Sequence, residues 1–496
     1  MIPKKEDLIL ANKLVIYNNF TKINDCNGRL LVELQIYPIP RILWDFEILD
    51  GQVCDIPKIF DNPTQNCFMG TSLRVEALSV MSYNLITYAR GSASKVFFGA
   101  PEDQAHTFHF CITNTKFLER CKAQDSYEET ICEKRFLREE NNALRSRRNV
   151  GRFIEISLNS IWSVKLEIME DSLKWLNKEQ GNIGTRLTSV GTLYQAKRAD
   201  KADDFSASLS TLSLTEAQTM LNSLCRLLSY ANGGRTAPIY IEGEIYIEGE
   251  KYNSQGSDQT VSALVRTDYQ VTPLEQLGNS WLMEYSDLRI FIGCFSSFER
   301  MLTKQFWEGT FNFVLFQYFQ AIRGGDWELV ASATGAALER LSHAILVEDE
   351  ANPITKVEHE NLFSNDRKTR DSANKILGSG TKVTETRLNL LLQRIGLTTN
   401  RGFNDTHDVK DFLDIRNDAV HPIVSSITME QRWRSIMQGI QWIDEILLWR
   451  LGYNGRYLDR ITSAAMSFSI AGSTPITVST LEINPRYDLS LRDSNW

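Results

Sequence analysis

The run Asp414-Ile-Arg416-Asn417-Asp418-Ala-Val-His421-Pro422 brings a fixed cation, an amide, carboxylates and an imidazole together in a short stretch of chain. Val409, Phe412, Leu413, Arg416 and Val420 recur at three- and four-residue steps. That spacing predicts a helix from about Asp408 to Val420, with an apolar face that anchors it and Arg416 at the border of that face. Asn417 and His421, four residues apart, share the adjacent face. Pro422 biases His421 out of the α region, which puts the imidazole at the last turn, where helix carbonyls and the negative dipole end favour its protonated form. A cationic histidine beside an arginine suits a phosphate. On an earlier predicted helix, Glu339 in Ala336-Ala-Leu-Glu339-Arg340-Leu is a candidate for a supporting polar group facing the same motif.

The elements that must hold these residues read as helices. From Asp287 onward the apolar period is helical: Ile290, Phe291, Cys294, Phe295, Phe298 and Leu302 form one series, and Leu329, Ala333, Ala336, Ala337 and Leu341 another. Further helices are predicted over Glu385 to Ile395, Asp408 to Val420 and Met429 to Leu451, the last stopped by Gly452. Before residue 280 the texture is strand and turn, as in Leu31-Val32-Glu33-Leu34-Gln35-Ile36 and Lys95-Val96-Phe97-Phe98, with one helical pattern over Thr215 to Tyr230 stopped by Gly233-Gly234. The tandem Ile239-Tyr-Ile-Glu-Gly-Glu244 and Ile245-Tyr-Ile-Glu-Gly-Glu250 reads as two strands and stops short of a solenoid. The expected fold class is therefore α+β. A β-rich region over 1–280, divisible near 150, precedes an all-helical bundle over 281–465 and a tail over 466–496.

Composition excludes several classes. In 496 residues, 42% hydrophobic and 23% charged positions rule out a rod, a collagen or a wholly disordered chain, and a net charge of -8 argues against coating nucleic acid through bulk charge. Glu6 and Asp7 interrupt any apolar leader, and no uncharged stretch approaches the length of a spanning helix, so a cytoplasmic protein with no membrane partner is expected. The cysteines (26, 54, 67, 111, 121, 132, 225 and 294) form no C-x-x-C pair and read as reduced. Gly378-Ser-Gly-Thr-Lys382 lacks the Ser or Thr that a phosphate-binding loop needs after its lysine. His106 and His109, three apart in a strand, point to opposite faces and disfavour a shared zinc. His343, His359 and His407 read as isolated surface or satisfied core residues.

The Arg416-Asn417-x-x-x-His421 run resembles the R-N-x-x-x-H motif of the HEPN superfamily of helical ribonucleases and nucleotide-binding domains. With the β-rich N-terminal region and the Leu451-Gly-Tyr453 end of the last helix, the chain looks like the Apea-like HEPN proteins of prokaryotic abortive-infection defence. The resemblance implies a metal-independent endoribonuclease without cofactor, acting on RNA, transfer RNA by family expectation, at a groove between two HEPN domains of a homodimer. His421 would move a proton to or from the 2'-OH or the leaving 5'-oxygen, Arg416 would clamp the scissile phosphate, and Asn417 would hold histidine or phosphate by hydrogen bonds. Asp418 would tune the imidazole or cap a neighbouring group. A 2',3'-cyclic phosphate product follows from attack by the 2'-OH. The N-terminal region would sense a phage-derived trigger or restrain the nuclease.

Two basic runs are candidate RNA contacts: Arg145, Arg147 and Arg148 (with Arg152 close behind), and Arg367, Lys368 and Arg370. The alternative reading is a catalytically inactive HEPN module that binds RNA, nucleotide or a partner protein. A third places the function in the β-rich region, which would bind a carbohydrate, nucleotide or phage protein.

Overall fold

The computed structural model describes residues 13–23, 26–35, 41–49, 67–69, 73–84, 88–98, 104–113, 115, 152–158, 161–168, 188–195, 211–244, 260–265, 272, 276–282, 285–349, 381–399, 406–421, 427–461 and 478–481. They fall into two compact units: residues 1–229 with 234–276, and residues 230–233 with 277–496. The first is a β-rich unit and the second is built mainly of helices, so the chain is α+β.

In the first unit alternating side chains build one antiparallel sheet of 12 strands. Its strands are β1 (Lys13–Ile23), β2 (Cys26–Gln35), β3 (Arg41–Ile48), β4 (Cys67–Met69), β5 (Leu73–Asn84), β6 (Tyr88–Phe98), β8 (Thr107–Thr113), β9 (Arg152–Ser157), β10 (Trp162–Ile168), β11 (Thr188–Gln195), β13 (Pro238–Glu244) and β14 (Thr260–Val265). The short β7 (Gln104–Ala105) and β12 (Leu212–Ser213) pair separately. Ile42, Trp44, Phe46 and Ile48 of β3 all point inward while their neighbours are exposed or half-buried, the period of two that one-sided burial demands. The sheet branches at β6. Strand β5 runs along one edge of it, while on the other β3 pairs with Tyr88 to Ala93 and β14 with Lys95 to Phe98. Helix α1 (Leu214–Asn232) buries Leu221, Leu224, Leu227 and Leu228 and starts with a reciprocal cap: Ser213 N–H donates to Glu216 Oε2 and Glu216 N–H to Ser213 Oγ. The second copy of the tandem repeat, Ile245 to Glu250, lies outside the described residues.

The helices of the second unit are α2 (Tyr285–Gly293), α3 (Phe295–Leu302), α4 (Gln305–Arg323), α5 (Trp327–His343), α6 (Thr381–Thr398), α7 (Thr406–Val420) and α8 (Met429–Leu451). A π-helical turn, Ala344–Glu348, prolongs α5, and β15 (Gly455–Leu458) pairs with β16 (Val478–Leu481) within the stretch expected to be a tail. Helix α5 is the hub, packed against α4, α6, α7 and α8. Small residues allow it: Ala331, Ala333, Thr334, Gly335 and Ala337 are buried along its length, so neighbouring backbones come close. A Cβ at Gly439 of α8 would lie 2.6 Å from the Phe412 ring of α7 and 2.9 Å from Thr334 of α5, which makes glycine a packing requirement there. Deeper in, Tyr230, Trp281, Phe291, Tyr318 and Tyr453 form an aromatic cluster. Beside it runs a buried ion pair, Arg460 Nε to Asp444 Oδ2 at 2.7 Å, in which Arg460 also donates to Tyr318 Oη and to the carbonyl of Asn279.

Three apolar positions depart from the sequence reading. Leu329 (57% exposed), Ile290 (43%) and Val420 (50%) lie on the surface; in α7 the buried series is Val409, Phe412, Leu413 and Ile415. Periodicity locates the centre of an apolar stripe, and these residues sit beyond the width that the neighbouring helices cover.

Candidate active site

Arg416 leaves α7 toward α5 and crosses it where α5 has no side chain. A Cβ at Gly335 would lie 2.7 Å from Arg416 Cγ and 3.1 Å from its Nε, so the guanidinium reaches past α5 only because that position is glycine. Its Nη2 ends 3.6 Å from Glu339 Oε2, one turn further along α5, and its Nη1 donates to Asn417 Oδ1 at 3.3 Å. Arg416, Asn417 and Glu339 are thus brought together, with the guanidinium half-buried. Asp418 faces elsewhere, toward Arg432 of α8 at 3.9 Å, and Arg432 lies over the Trp327 ring 4.2 Å from its centroid. Asp418 therefore belongs to a packing contact at the α5 and α8 surface, not beside the imidazole.

His421 closes α7: its backbone N–H donates to the carbonyl of Asn417 at 2.8 Å, and the residue is exposed. Its side chain makes no hydrogen bond or ion pair to another described residue. Five residues separate it from Arg416, and on an α-helix five steps carry a side chain well round the axis. The basic candidates Arg145, Arg147, Arg148, Arg367, Lys368 and Arg370 lie outside the described residues, as does His359.

The structure adds a second half to the cluster that single-residue reading missed. Gly335, Glu339 and His343 form a stripe along α5 at intervals of four, and His343 continues it into the π turn. There Glu348 folds back. Five residues apart on an α-helix, His343 and Glu348 would look away from each other, but a turn with i to i+5 bonds brings them to one side, and its signature bond, Asp349 N–H to the Ala344 carbonyl at 2.9 Å, is present. Glu348 Oε1 lies 3.5 Å from His343 Nδ1 without a hydrogen bond between them and accepts from Arg340 Nη1 at 3.0 Å, while Arg340 Nη2 stands 2.9 Å from Oε2 as an ion pair. Beneath lies the buried Arg387 of α6, whose charge is supported by Glu339 against the cost of burial. Burial lowers the His343 pKa below its usual 6.5; Arg387 and Arg340 act the same way, Glu348 and Glu339 oppose them, and the net direction is down. The Glu339-x-x-x-His343 spacing was the available signal, and its meaning depends on the π turn and on α6.

The end of that π turn is pinned. Asp349 accepts from Lys304 Nζ at 2.6 Å, Trp307 Nε1 at 3.2 Å and Arg450 Nη2 at 2.8 Å, tying it to the start of α4 and the end of α8. Burial works against ionisation of Asp349, but Arg450 and Lys304 outweigh it and hold its pKa below the ordinary value.

Comparison with known proteins bears on the segment that contains all of these residues. Residues 304–470 match the family model of the YopA C-terminal domain. The match covers less than half of the chain. It overturns the HEPN resemblance, because Arg416, Asn417 and His421 sit inside a stretch similar to a different family. The reason is physical as well: a six-residue pattern at the end of an amphipathic helix is a requirement that unrelated helical bundles can meet. No curated protein and no solved structure matches the chain. Among the described residues no helix is long and apolar enough to cross a membrane.

Proposed function

We propose that the helical unit binds the RNA backbone at Arg416 and cleaves it without a metal ion. The single observation that carries this reading is the guanidinium itself. It is half-buried, led over Gly335 and steadied by Glu339 and Asn417, so it is oriented before any anion arrives. A phosphate bridging its free edge would meet a planar donor with fixed geometry. His421, exposed at the end of the same helix, supplies a general acid–base group. Attack by the ribose 2'-OH on the adjacent phosphate needs those two functions and leaves a 2',3'-cyclic phosphate; a strand without the 2'-OH is inert. The setting is the cytoplasm, where RNA is at hand, with two copies of the chain sharing the substrate and the β-rich unit acting as sensor or restraint. The assignment to anti-phage defence drew on the HEPN resemblance and has lost that support.

A second reading is favoured by one contact: Arg416 already has Glu339 as a counter-ion, and His421 does not reach it. That arrangement fits a module that binds RNA or a partner protein without chemistry. An assay of purified full-length protein on total RNA in excess EDTA separates the two. Cleavage with cyclic-phosphate ends, reduced about 100-fold or more in His421→Ala and in Arg416→Ala, is expected. RNA retained on the protein but left intact by wild type would establish the binding module instead.

A further inference from the structure

We propose that His343, oriented by Glu348, is the proton-accepting residue of the site that Arg416 and Glu339 mark on α5. The inference rests on the RNA-cleavage reading and assigns within it a role that the α7 motif leaves open, because Arg416 pairs with Glu339 and Asn417 and makes no hydrogen bond or ion pair with His421 among the described residues.

The argument begins with orientation. Nδ1 of His343 is buried without a hydrogen bond and lies 3.5 Å from the Glu348 carboxylate, close enough for its charge to act, while the side chain as a whole is 32% exposed. A carboxylate on that side favours the tautomer with hydrogen on Nδ1 and leaves Nε2 as a lone-pair acceptor on the more accessible side. Glu348 is itself held by a hydrogen bond from Arg340 Nη1 to Oε1 at 3.0 Å and by the Nη2 charge 2.9 Å from Oε2, so the carboxylate is placed before substrate binds. The charged groups around the ring come from three elements: Glu339 and Arg340 of α5, Glu348 of the π turn and Arg387 of α6. Their balance, with partial burial, keeps the imidazole neutral at neutral pH, the form a base requires. Glu339 is the common neighbour. It pairs with Arg416, and it acts electrostatically on both Arg387 and His343, so the partner of the cation and the base stand on one stripe of α5 a turn apart. That the base immediately precedes a π turn fits the frequent placement of such turns at functional sites.

The step balances without a further reactant. The 2'-OH proton passes to Nε2 of His343 as the 2'-oxygen bonds to phosphorus. The bond from phosphorus to the 5'-oxygen breaks, and the departing oxygen takes its proton from His421 acting as general acid. Arg416 neutralises the charge that builds on the non-bridging oxygens.

Full-length protein labelled with carbon-13 at histidine Cε1 has six imidazoles to report, and the signal lost in His343→Gln identifies His343. Addition of a mixed-sequence 2'-O-methyl RNA, which cannot be cleaved, is expected to shift that signal. In the EDTA assay His343→Gln should cleave about 100-fold more slowly or worse while binding the 2'-O-methyl RNA as wild type does. Glu348→Gln removes a charge that favours the imidazolium, so the acidic limb of its pH profile should move to lower pH. Wild-type rates in His343→Gln, with cleavage abolished in Arg416→Ala, would overturn the assignment and leave the cleavage reading standing. A wild type that cleaves no RNA removes both, and a shifted His343 signal in that case would mark a phosphate-binding site only.

Discussion

Gly335 is the residue on which the geometry of Arg416 turns. Alanine there is compatible with the helix and favours it by about 0.5–1 kcal/mol in propensity, yet its methyl group would occupy the path of the Arg416 Cγ and Nε. Gly335→Ala is therefore expected to leave the thermal midpoint within a few degrees of wild type while lowering RNA cleavage in EDTA, or RNA retention, by about tenfold, an effect of position alone. A loss of activity matched by an equal loss of fold would show instead that the glycine serves packing. At this scale the sequence is half legible. Arg416 and Asn417 stand out because type and spacing coincide on one predicted helix. His343 looks solitary in the chain, since Glu348 reaches it only through the extra residue of a π turn and Arg387 only through a helix more than forty residues away.

Helices were the legible elements. The predicted Met429 to Leu451 matches α8 as it stands, because a capping box at Thr428 and Gln431 opens it and Gly452, at φ +75°, closes it with two backbone bonds. The π turn had no such mark: its residues Ala-Ile-Leu-Val-Glu continue an α pattern, and what holds the wider turn is the tertiary anchor at Asp349. Asp349→Asn is expected to cost about 3–5 kcal/mol, since it leaves Lys304 and Arg450 facing a neutral group in a largely buried setting. Urea titration of the variant measures this, and an unchanged midpoint would refute the anchoring role. The sign of the pH effect follows from the depressed folded pKa. Asp349 contributes its stabilisation above the unfolded value of 3.8, and that contribution is lost as acid protonates it.

For the whole molecule, strand existence was readable from alternation, whereas the order of the sheet was not. Strand β6 meets β14 across more than 160 residues of chain, and no local pattern specifies a pairing of that range. The helical unit has a comparable non-local tie at Arg460, which pairs with Asp444 and donates to Tyr318 and to the carbonyl of Asn279, both more than 140 residues earlier in the chain. Burial works against the charge on Arg460, and Asp444 with Tyr318 outweighs it, so the guanidinium remains protonated. Asp444→Ala should cost about 3–5 kcal/mol by stranding that cation, read as a lower urea midpoint for the helical unit. Arg460→Met with Asp444→Leu should recover much of the loss.

The branch at β6 also sets a clock for the sheet. A strand clasped by β5 on one side and by β3 and β14 on the other cannot peel away unless three partners let go, so solvent deuterium should enter it last. The terminal strands β1, β4 and β9, each bonded to one neighbour among the described residues, should exchange first. Unfolding of this unit would then proceed inward from its three ends, with Tyr88–Phe98 as the keystone that loosens only when the whole arch fails.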